Sequence, residues 1–354
     1  MNTKPKVGIN GLGRIGRAIY RINRDSKLFD IAVINDINQD KENIVYTLNY
    51  DTTYGRLKPK VRVQGNEIID VESSSLITNK KDISDVNWNE YGVDFVIDSS
   101  GQYLEQKIIN KLKNQIKNLI VTNAPEYVEH SIILGANDKS LDPKNNFVIS
   151  SSICDAIAGA PILNLINDEY GIINGTLITL HPWLGYQRLL DGSSIPYWQL
   201  HPDPNKKPEN SKHHYALGRS APMNIIPKST SAVSAIEKVI NALKGKIDSH
   251  SYRIPTQIVS AATFTVNTEK TTNKKNIIDL FDAYITRQNF NIINCTDEPL
   301  TANDFIGETY SAVIDHRWTS VGNSKTIKLH YWYDNEWGYS SRVYDLAYEI
   351  LEFY

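Results

Sequence analysis

Gly11, Gly13 and Gly16 stand directly after the apolar run Val7 to Asn10 and at the head of an amphipathic stretch that reaches Arg24. A G-x-G-x-x-G at such a strand-to-helix junction permits few folds. The first glycine allows a tight turn, the second lets a pyrophosphate approach the backbone, and the third lets helix and strand pack closely. Asp36 ends the next β-rich run, twenty residues beyond Gly16, where an acid can accept hydrogen bonds from ribose hydroxyls. A carboxylate there repels a 2′-phosphate, so NAD is expected rather than NADP. The competing reading is a glycine turn followed by a helix-capping aspartate.

The first half of the chain keeps this rhythm. Ile31 to Ile34, Phe95 to Ile97, Leu119 to Val121, Ile132 to Leu134 and Phe147 to Ile149 read as strands with helical stretches between them. Continuous apolar strands alternating with helices predict a parallel sheet covered on both faces. Beyond Cys154 the pattern changes. A helix through about Asn167 precedes longer β segments: Gly175 to Leu180, Ile258 to Thr265, Ser311 to Ile314 and Ile327 to Trp332. Only Ser231 to Leu243 and Lys275 to Thr286 read as helices between them. That predicts an α+β second unit. A last amphipathic helix is expected over Ser340 to Tyr354, with Val343, Leu346, Ala347, Ile350 and Leu351 on one side. Two domains also suit 354 residues, which exceed what one core usually organises.

Charge narrows the partners. Lys and Arg number 38 against 40 Asp and Glu, for a formal net charge of −2, and the lysines are interspersed with acids. Neither nucleic acid nor a membrane surface is therefore expected as a partner. No apolar run approaches the roughly 20 residues of a membrane helix. The start MNTKPKVGING lacks the apolar core of a secretory signal, and Cys154 and Cys295 are too few for a disulfide framework. A reducing cytoplasm is the expected setting. No metal is expected, since the adjacent His213 and His214 lack a carboxylate or thiol at ligand spacing.

Cys154 sits where the strand Phe147 to Ile149 ends in serines and a helix is expected to begin at Asp155. A helix N-terminus, with its unpaired N–H groups and positive dipole end, favours a thiolate over a thiol. Beside a hydride acceptor, such a thiolate suggests aldehyde oxidation through a thioester. A buried structural thiol is the alternative.

Several segments resemble the phosphorylating glyceraldehyde-3-phosphate dehydrogenases nearly end to end. They are GINGLGRIGR (Gly8 to Arg17), YDTTYGRL (Tyr50 to Leu57), the turn Ser99 to Gly101, ISSSICDAIAGAP (Ile149 to Pro161), TLHPW around His181, NIIPKST (Asn224 to Thr230), SYRIP around Arg253, DEPL (Asp297 to Leu300) and WYDNEWGYSSRVYDL (Trp332 to Leu346). The resemblance implies a Rossmann dinucleotide-binding domain over residues 1–153 and 335–354. It also implies an α+β catalytic domain with a mostly antiparallel sheet over 154–334. It implies Cys154 as nucleophile and His181 as its base. Cofactor contacts are implied at Gly11, Gly13, Arg14, Ile15, Gly16, Asp36, Ser100, Asn123, Asn335 and Tyr339, with Asn335 holding the nicotinamide carboxamide. Thr230, Arg253 and Arg219 are implied to bind the anionic groups of substrate or phosphate. A homotetramer is implied as well.

Departures cluster where phosphate is expected. The family's S-C-T-T-N becomes Ile153, Cys154, Asp155, Ala156 and Ile157. Threonines after His181 give way to Leu184 and Tyr186, and the segment Asp191 to Asn224 is long, with Lys206, Lys207, Lys212, His213 and His214. At about 6 Å and an effective dielectric near 20, Asp155 and a thiolate repel by roughly 3 kcal/mol as an upper figure. Asp155 then raises the thiol pKa and opposes a phosphate dianion, unless it points away and caps the helix. Three activities follow. The first is NAD-dependent oxidation of glyceraldehyde 3-phosphate, or a related aldose such as erythrose 4-phosphate, with phosphate as acyl acceptor. The second is the same thioester released by water. The third is a catalytically silent NAD-binding protein.

Overall fold

The computed structural model describes residues 4–125, 128, 130–194 and 212–354. The chain divides into two units. Residues up to Ile132 join Ser140–Ser152 and Ser340–Tyr354 in the first; Ile133–Lys139 and Ile153–Tyr339 make the second.

In the first unit, β1 (Lys6–Asn10) leads into α1 (Arg14–Ser26), β2 (Asp30–Asn35), α2 (Lys41–Asn49) and the small hairpin β3 (Tyr50–Asp51) and β4 (Gly55–Arg56). Then come β5 (Arg62–Gln64), β6 (Glu67–Ile69), β7 (Ser74–Thr78), β8 (Phe95–Asp98), α3 (Gln106–Leu112), β9 (Asn118–Val121) and β10 (Val148–Ser150). The sheet runs β10-β9-β8-β1-β2-β7-β6-β5. Pairs from β10 through β7 are parallel, and β5 to β7 form an antiparallel extension. The parallel strands are apolar because both faces are covered; Val7, Ile9, Val33, Ile34, Val96 and Ile97 are all inaccessible to solvent. Gly16 is obligatory at the α1 crossing, where a Cβ would lie 2.2 Å from the Gly11 carbonyl oxygen.

One expected strand is absent. Ile132 to Leu134 carries no strand; only Ser131 makes an isolated bridge to Ser150. The chain turns instead, because the Asn137 side chain accepts the Ile133 N–H at 2.8 Å, Ala136 N–H returns to the Ile133 carbonyl, and Gly135 takes φ +86°. Polar residues just past an apolar triplet thus satisfy its backbone locally.

The second unit begins with α4 (Cys154–Tyr170), then β11 (Ile172–Pro182), β12 (Ile226–Lys228), α5 (Ala232–Val239), β13 (Ile247–Ile254), β14 (Ser260–Thr268), α6 (Lys274–Ile285), β15 (Ile293–Thr296), β16 (Ala312–Asp315), β17 (Ser320–Gly322) and β18 (Thr326–Tyr333). The last helix, α7 (Trp337–Leu351), crosses back into the first unit. Its sheet runs β12-β13-β11-β14-β18-β16-β15 with β17 on β18. The sheet is mostly antiparallel, with parallel pairs among the described residues at β11·β13 and β15·β16. Helix α4 is buried along almost its whole first half and lies on one face of this sheet. A Cβ at Gly159 would meet Phe264 at 2.9 Å and the Tyr331 hydroxyl at 3.1 Å. Along β11, Leu177, Thr179 and His181 are buried, whereas Ile178 and Leu180 are exposed. That alternation points the histidine toward α4.

Candidate functional site

In the first unit, the carboxyl ends of the parallel strands carry the residues expected at a dinucleotide. Gly11 follows β1, Asp36 follows β2, Ser99 and Ser100 follow β8, and Asn123 follows β9. Gly11, Gly13, Asp36, Lys80 and Ser100 line one cavity there, the location at which open α/β sheets bind ligands. Gly11 takes φ +87°, and a side chain there would clash with the Ser100 backbone at 2.8 Å. Nothing lies within 4 Å of where a Gly13 Cβ would stand, so the backbone at the head of α1 is open to an anion. The Asp36 carboxylate does not cap a helix. It accepts the Leu12 N–H at 2.7 Å and the Asn38 N–H at 2.8 Å, which hold it beside the glycine turn. Arg14 turns its guanidinium away to an ion pair with Asp51 and a stack on Tyr54 at 5.5 Å. Arg14 and Ile15 are the first two residues of α1.

In the second unit, Cys154 is the first residue of α4, capped by no side chain. Its Sγ lies 3.7 Å from His181 Nε2 and 3.5 Å from Asp155 Oδ1, and His181 Nε2 lies 3.9 Å from the same carboxylate oxygen. His181 Nδ1 is 2.8 Å from the Pro182 carbonyl. A carbonyl only accepts, so Nδ1 carries the proton and Nε2 offers its lone pair to the sulfur. Asp155 is turned inward, only 6% exposed. It takes the Tyr333 hydroxyl at 2.8 Å on Oδ1 and the Thr230 hydroxyl at 3.4 Å on Oδ2. Strand register brings in two cations. Arg253 pairs with both His181 and Ile226, Lys228 with Ser251, and the Ser251 hydroxyl meets Thr179 at 2.7 Å. Arg253 and Lys228 therefore project from the same sheet face as His181.

This packing sets the protonation states. Burial, then Arg253, pulls the His181 pKa down to about 4, so its imidazole is a neutral base at physiological pH. Burial, followed by the Asp155 charge, raises the Cys154 thiol well above its ordinary value, with Arg253 opposing. The favourable position at the head of α4 does not outweigh those two effects. Burial alone raises the Asp155 carboxyl, but its neighbours bring it below its ordinary value. The Tyr333 hydroxyl, Lys228 and Arg253 act on it whether or not His181 is charged, so Asp155 is an anion beside a neutral imidazole. Lys228, half-buried, is lowered to about 8 by burial and by Arg253, and so is mostly cationic at neutral pH. One carboxylate against two cations leaves the pocket with a positive excess. Arg253 is itself 5% exposed, donates to the Pro182 carbonyl at 3.3 Å, and leaves its buried Nε without a hydrogen-bond partner among the described residues. An unpaired buried guanidinium N–H is costly unless an anion completes it.

The comparisons with known proteins agree with this layout. The profile of the glyceraldehyde 3-phosphate dehydrogenase NAD binding domain matches residues 5–106, and that of the same enzyme's C-terminal domain matches residues 153–335. Glyceraldehyde-3-phosphate dehydrogenase 1 of Schizosaccharomyces pombe is 34% identical over 97% of both chains. The chain belongs to the glyceraldehyde-3-phosphate dehydrogenase family. Glyceraldehyde-3-phosphate dehydrogenase of Geobacillus stearothermophilus is 32% identical over 97% of both chains, and the cytosolic enzyme of Leishmania mexicana is 33% identical over 96% of this chain and 97% of its own. The protein is accordingly an NAD-dependent oxidoreductase, with a Rossmann NAD-binding domain and the family's C-terminal domain.

NAD fits the residues present. The open backbone at Gly13 suits its pyrophosphate. In the second unit, Asn335, 6% exposed, has a buried Oδ1 with no hydrogen-bond partner among the described residues. Asn335 stands in a turn that caps α7, where Asp334 Oδ1 accepts the Glu336 and Trp337 N–H groups at 3.0 and 2.9 Å. That cap starts α7 before the expected Ser340. Tyr339 is buried in its first turn. Among the residues implied for substrate, Arg253 and Thr230 converge on the Cys154 group. Arg219 instead makes an exposed ion pair with Asp191 at 2.8 Å. The side chains of Lys206, Lys207, Lys212, His213 and His214 lie outside the described residues. Tyr186, where the family has threonine, accepts from Arg253 at 3.5 Å. Sequence reading missed Tyr333 and Lys228 as members of the site, although both stand inside the quoted segments. Their signal was a hydroxyl and a cation on strands bordering Cys154, and pairing register alone reveals that they face it.

Proposed function

We propose that the protein oxidises glyceraldehyde 3-phosphate, or a closely related phosphorylated aldose, through a thioester on Cys154 with phosphate as acyl acceptor. The observation that carries this reading is the thiol 3.7 Å from a neutral imidazole, in a pocket whose buried Arg253 Nε has no hydrogen-bond partner among the described residues. Cys154 Sγ adds to the aldehyde carbon while its proton passes by way of His181 Nε2 to the aldehyde oxygen, which leaves a neutral hemithioacetal and a free Nε2. The hemithioacetal hydroxyl then gives its proton to that Nε2 as hydride leaves. NAD, when bound, supplies the hydride acceptor. Arg253, Lys228 and Thr230 orient the anionic end of the substrate and the incoming phosphate, which displaces the thiolate as an acyl phosphate forms.

A second reading, with water as acyl acceptor, draws support from Asp155, whose buried charge faces the sulfur, beside the acyl carbon that phosphate would attack. NADH formation from glyceraldehyde 3-phosphate, with and without phosphate, separates the two. Strict dependence on phosphate is expected; an unchanged rate that yields the free acid would replace phosphate by water.

Asp36→Ala is expected to weaken NAD about tenfold or more, the cost of hydrogen bonds to a charged group, and to narrow the preference over NADP. Titration of protein fluorescence with each dinucleotide measures both, and unchanged affinities would remove Asp36 from the ribose site. The same reading includes a homotetramer in a reducing cytoplasm. It is supported by two free cysteines and by the exposed Ile178 and Leu180 on the sheet face opposite α4, a face suited to another copy.

A further inference from the structure

Asp282, Cys295 and His316 form a second group of metal-binding side chains in the second unit, sharing no residue with the Cys154 site. Their carboxylate oxygen, Sγ and ring nitrogen all lie within 4.8 Å of one another. The fold brings them together from three elements. Cys295 is on β15, paired with Ile314 of the parallel β16, and the His316 N–H continues that ladder to the Thr296 carbonyl at 2.9 Å. Asp282 is in the last turn of α6, and Lys274 at the head of that helix donates to the His316 carbonyl at 2.9 Å. His316 is 2% exposed, and its buried Nε2 has no hydrogen-bond partner among the described residues. Its Nδ1 lies 3.1 Å from the Thr319 hydroxyl. With Nδ1–H donating to that oxygen, Nε2 presents a bare lone pair, the orientation that outer partners impose on metal-bound histidines.

We propose that Asp282, Cys295 and His316 bind a divalent, borderline-soft cation such as Zn²⁺. One carboxylate, one thiolate and one imidazole are its preferred donors, and water completes a tetrahedron. Metal bonds of about 2.3 Å to sulfur and 2.0 Å to nitrogen put donor atoms roughly 3.5 Å apart. Turning the exposed Asp282 carboxylate and the part-exposed Cys295 closes the remaining gap. A bound divalent cation displaces the Cys295 thiol proton.

The test uses full-length Cys154→Ser protein, so that the group of Cys154, Asp155 and His181 contributes no thiolate. Co²⁺, as a spectroscopic stand-in for Zn²⁺, is expected to bind one per chain with a thiolate-to-metal charge-transfer band and release of about one proton. Adding Cys295→Ser abolishes the band and weakens Zn²⁺, measured by chelator competition, at least tenfold. Thr319→Val, which only frees the imidazole, weakens it about tenfold. The exposed Asp282→Asn, which disturbs no packing, weakens Zn²⁺ but keeps the band. No stoichiometric binding in the Cys154→Ser protein, or a band that survives Cys295→Ser, overturns the proposal.

Discussion

Cys154→Ser is expected to lower NADH formation by at least about a thousandfold while NAD affinity stays close to that of the parent protein. The hydroxyl occupies nearly the same volume at the head of α4, so packing is kept. A serine alcohol, however, ionises far less readily than a thiol. His181, with a pKa of about 4, is too weak a base to take its proton in the ground state. The sulfur is no part of the glycine turn or of Asp36, so the dinucleotide keeps its contacts. Steady-state rates and equilibrium NAD titration on the same preparation check both halves. Turnover within tenfold of the parent would take the nucleophile away from Cys154, and a parallel loss of NAD binding would mean that the substitution disturbs the fold.

Asp155→Thr is expected to shift the pH profile of Cys154 alkylation to lower pH. At neutral pH the reaction becomes faster by about tenfold or more, and the phosphate KM falls by a similar factor. The sign follows from charge. Asp155 is an anion 3.5 Å from the sulfur, and after burial it is the largest cause of the raised thiol pKa. Removing it stabilises the thiolate, so the reactive form appears at lower pH. The carboxylate also sits 3.9 Å from His181 Nε2, where it favours an imidazolium nearly as much as it disfavours the thiolate. Direct transfer of the proton from sulfur to nitrogen is therefore little affected, and the change falls on loss of the proton to solvent and on the approach of phosphate dianion. Lys228 and Arg253 then face an uncompensated pocket, which draws phosphate more strongly. Alkylation rates across pH, with phosphate-dependence curves for both proteins, measure this. An unmoved alkylation profile would reduce Asp155 to a packing role.

Much of the architecture was legible because its signals are local. Apolar strands followed by helices mark the parallel sheet, and the expected strands at β1, β2, β8 and β9 agree with those found to within about a residue. Strand β13 was missed because its run of His250, Ser251, Tyr252 and Arg253 reads as polar; it becomes a strand only by pairing with β11 on one side and β12 on the other. The expected strand at Ile132 to Leu134 failed for the opposite reason. Its three apolar residues matched a strand, but Asn137 and Gly135 close a turn over them.

The sequence by itself determined the nucleotide turn and the cofactor, because short spacings of glycines act through neighbouring backbone, and its resemblance to the family supplied the candidate pair Cys154 and His181. Only the tertiary structure decided what Asp155 does. A residue in the first turn of a helix can cap that helix or face its neighbour, and both are consistent with the same letters. Hydroxyls from Thr230 and Tyr333, and cations from Lys228 and Arg253, arrive from strands distant in the chain. Together they stabilise the carboxylate inside the pocket, so that a buried anion stands against the sulfur instead of at the helix cap.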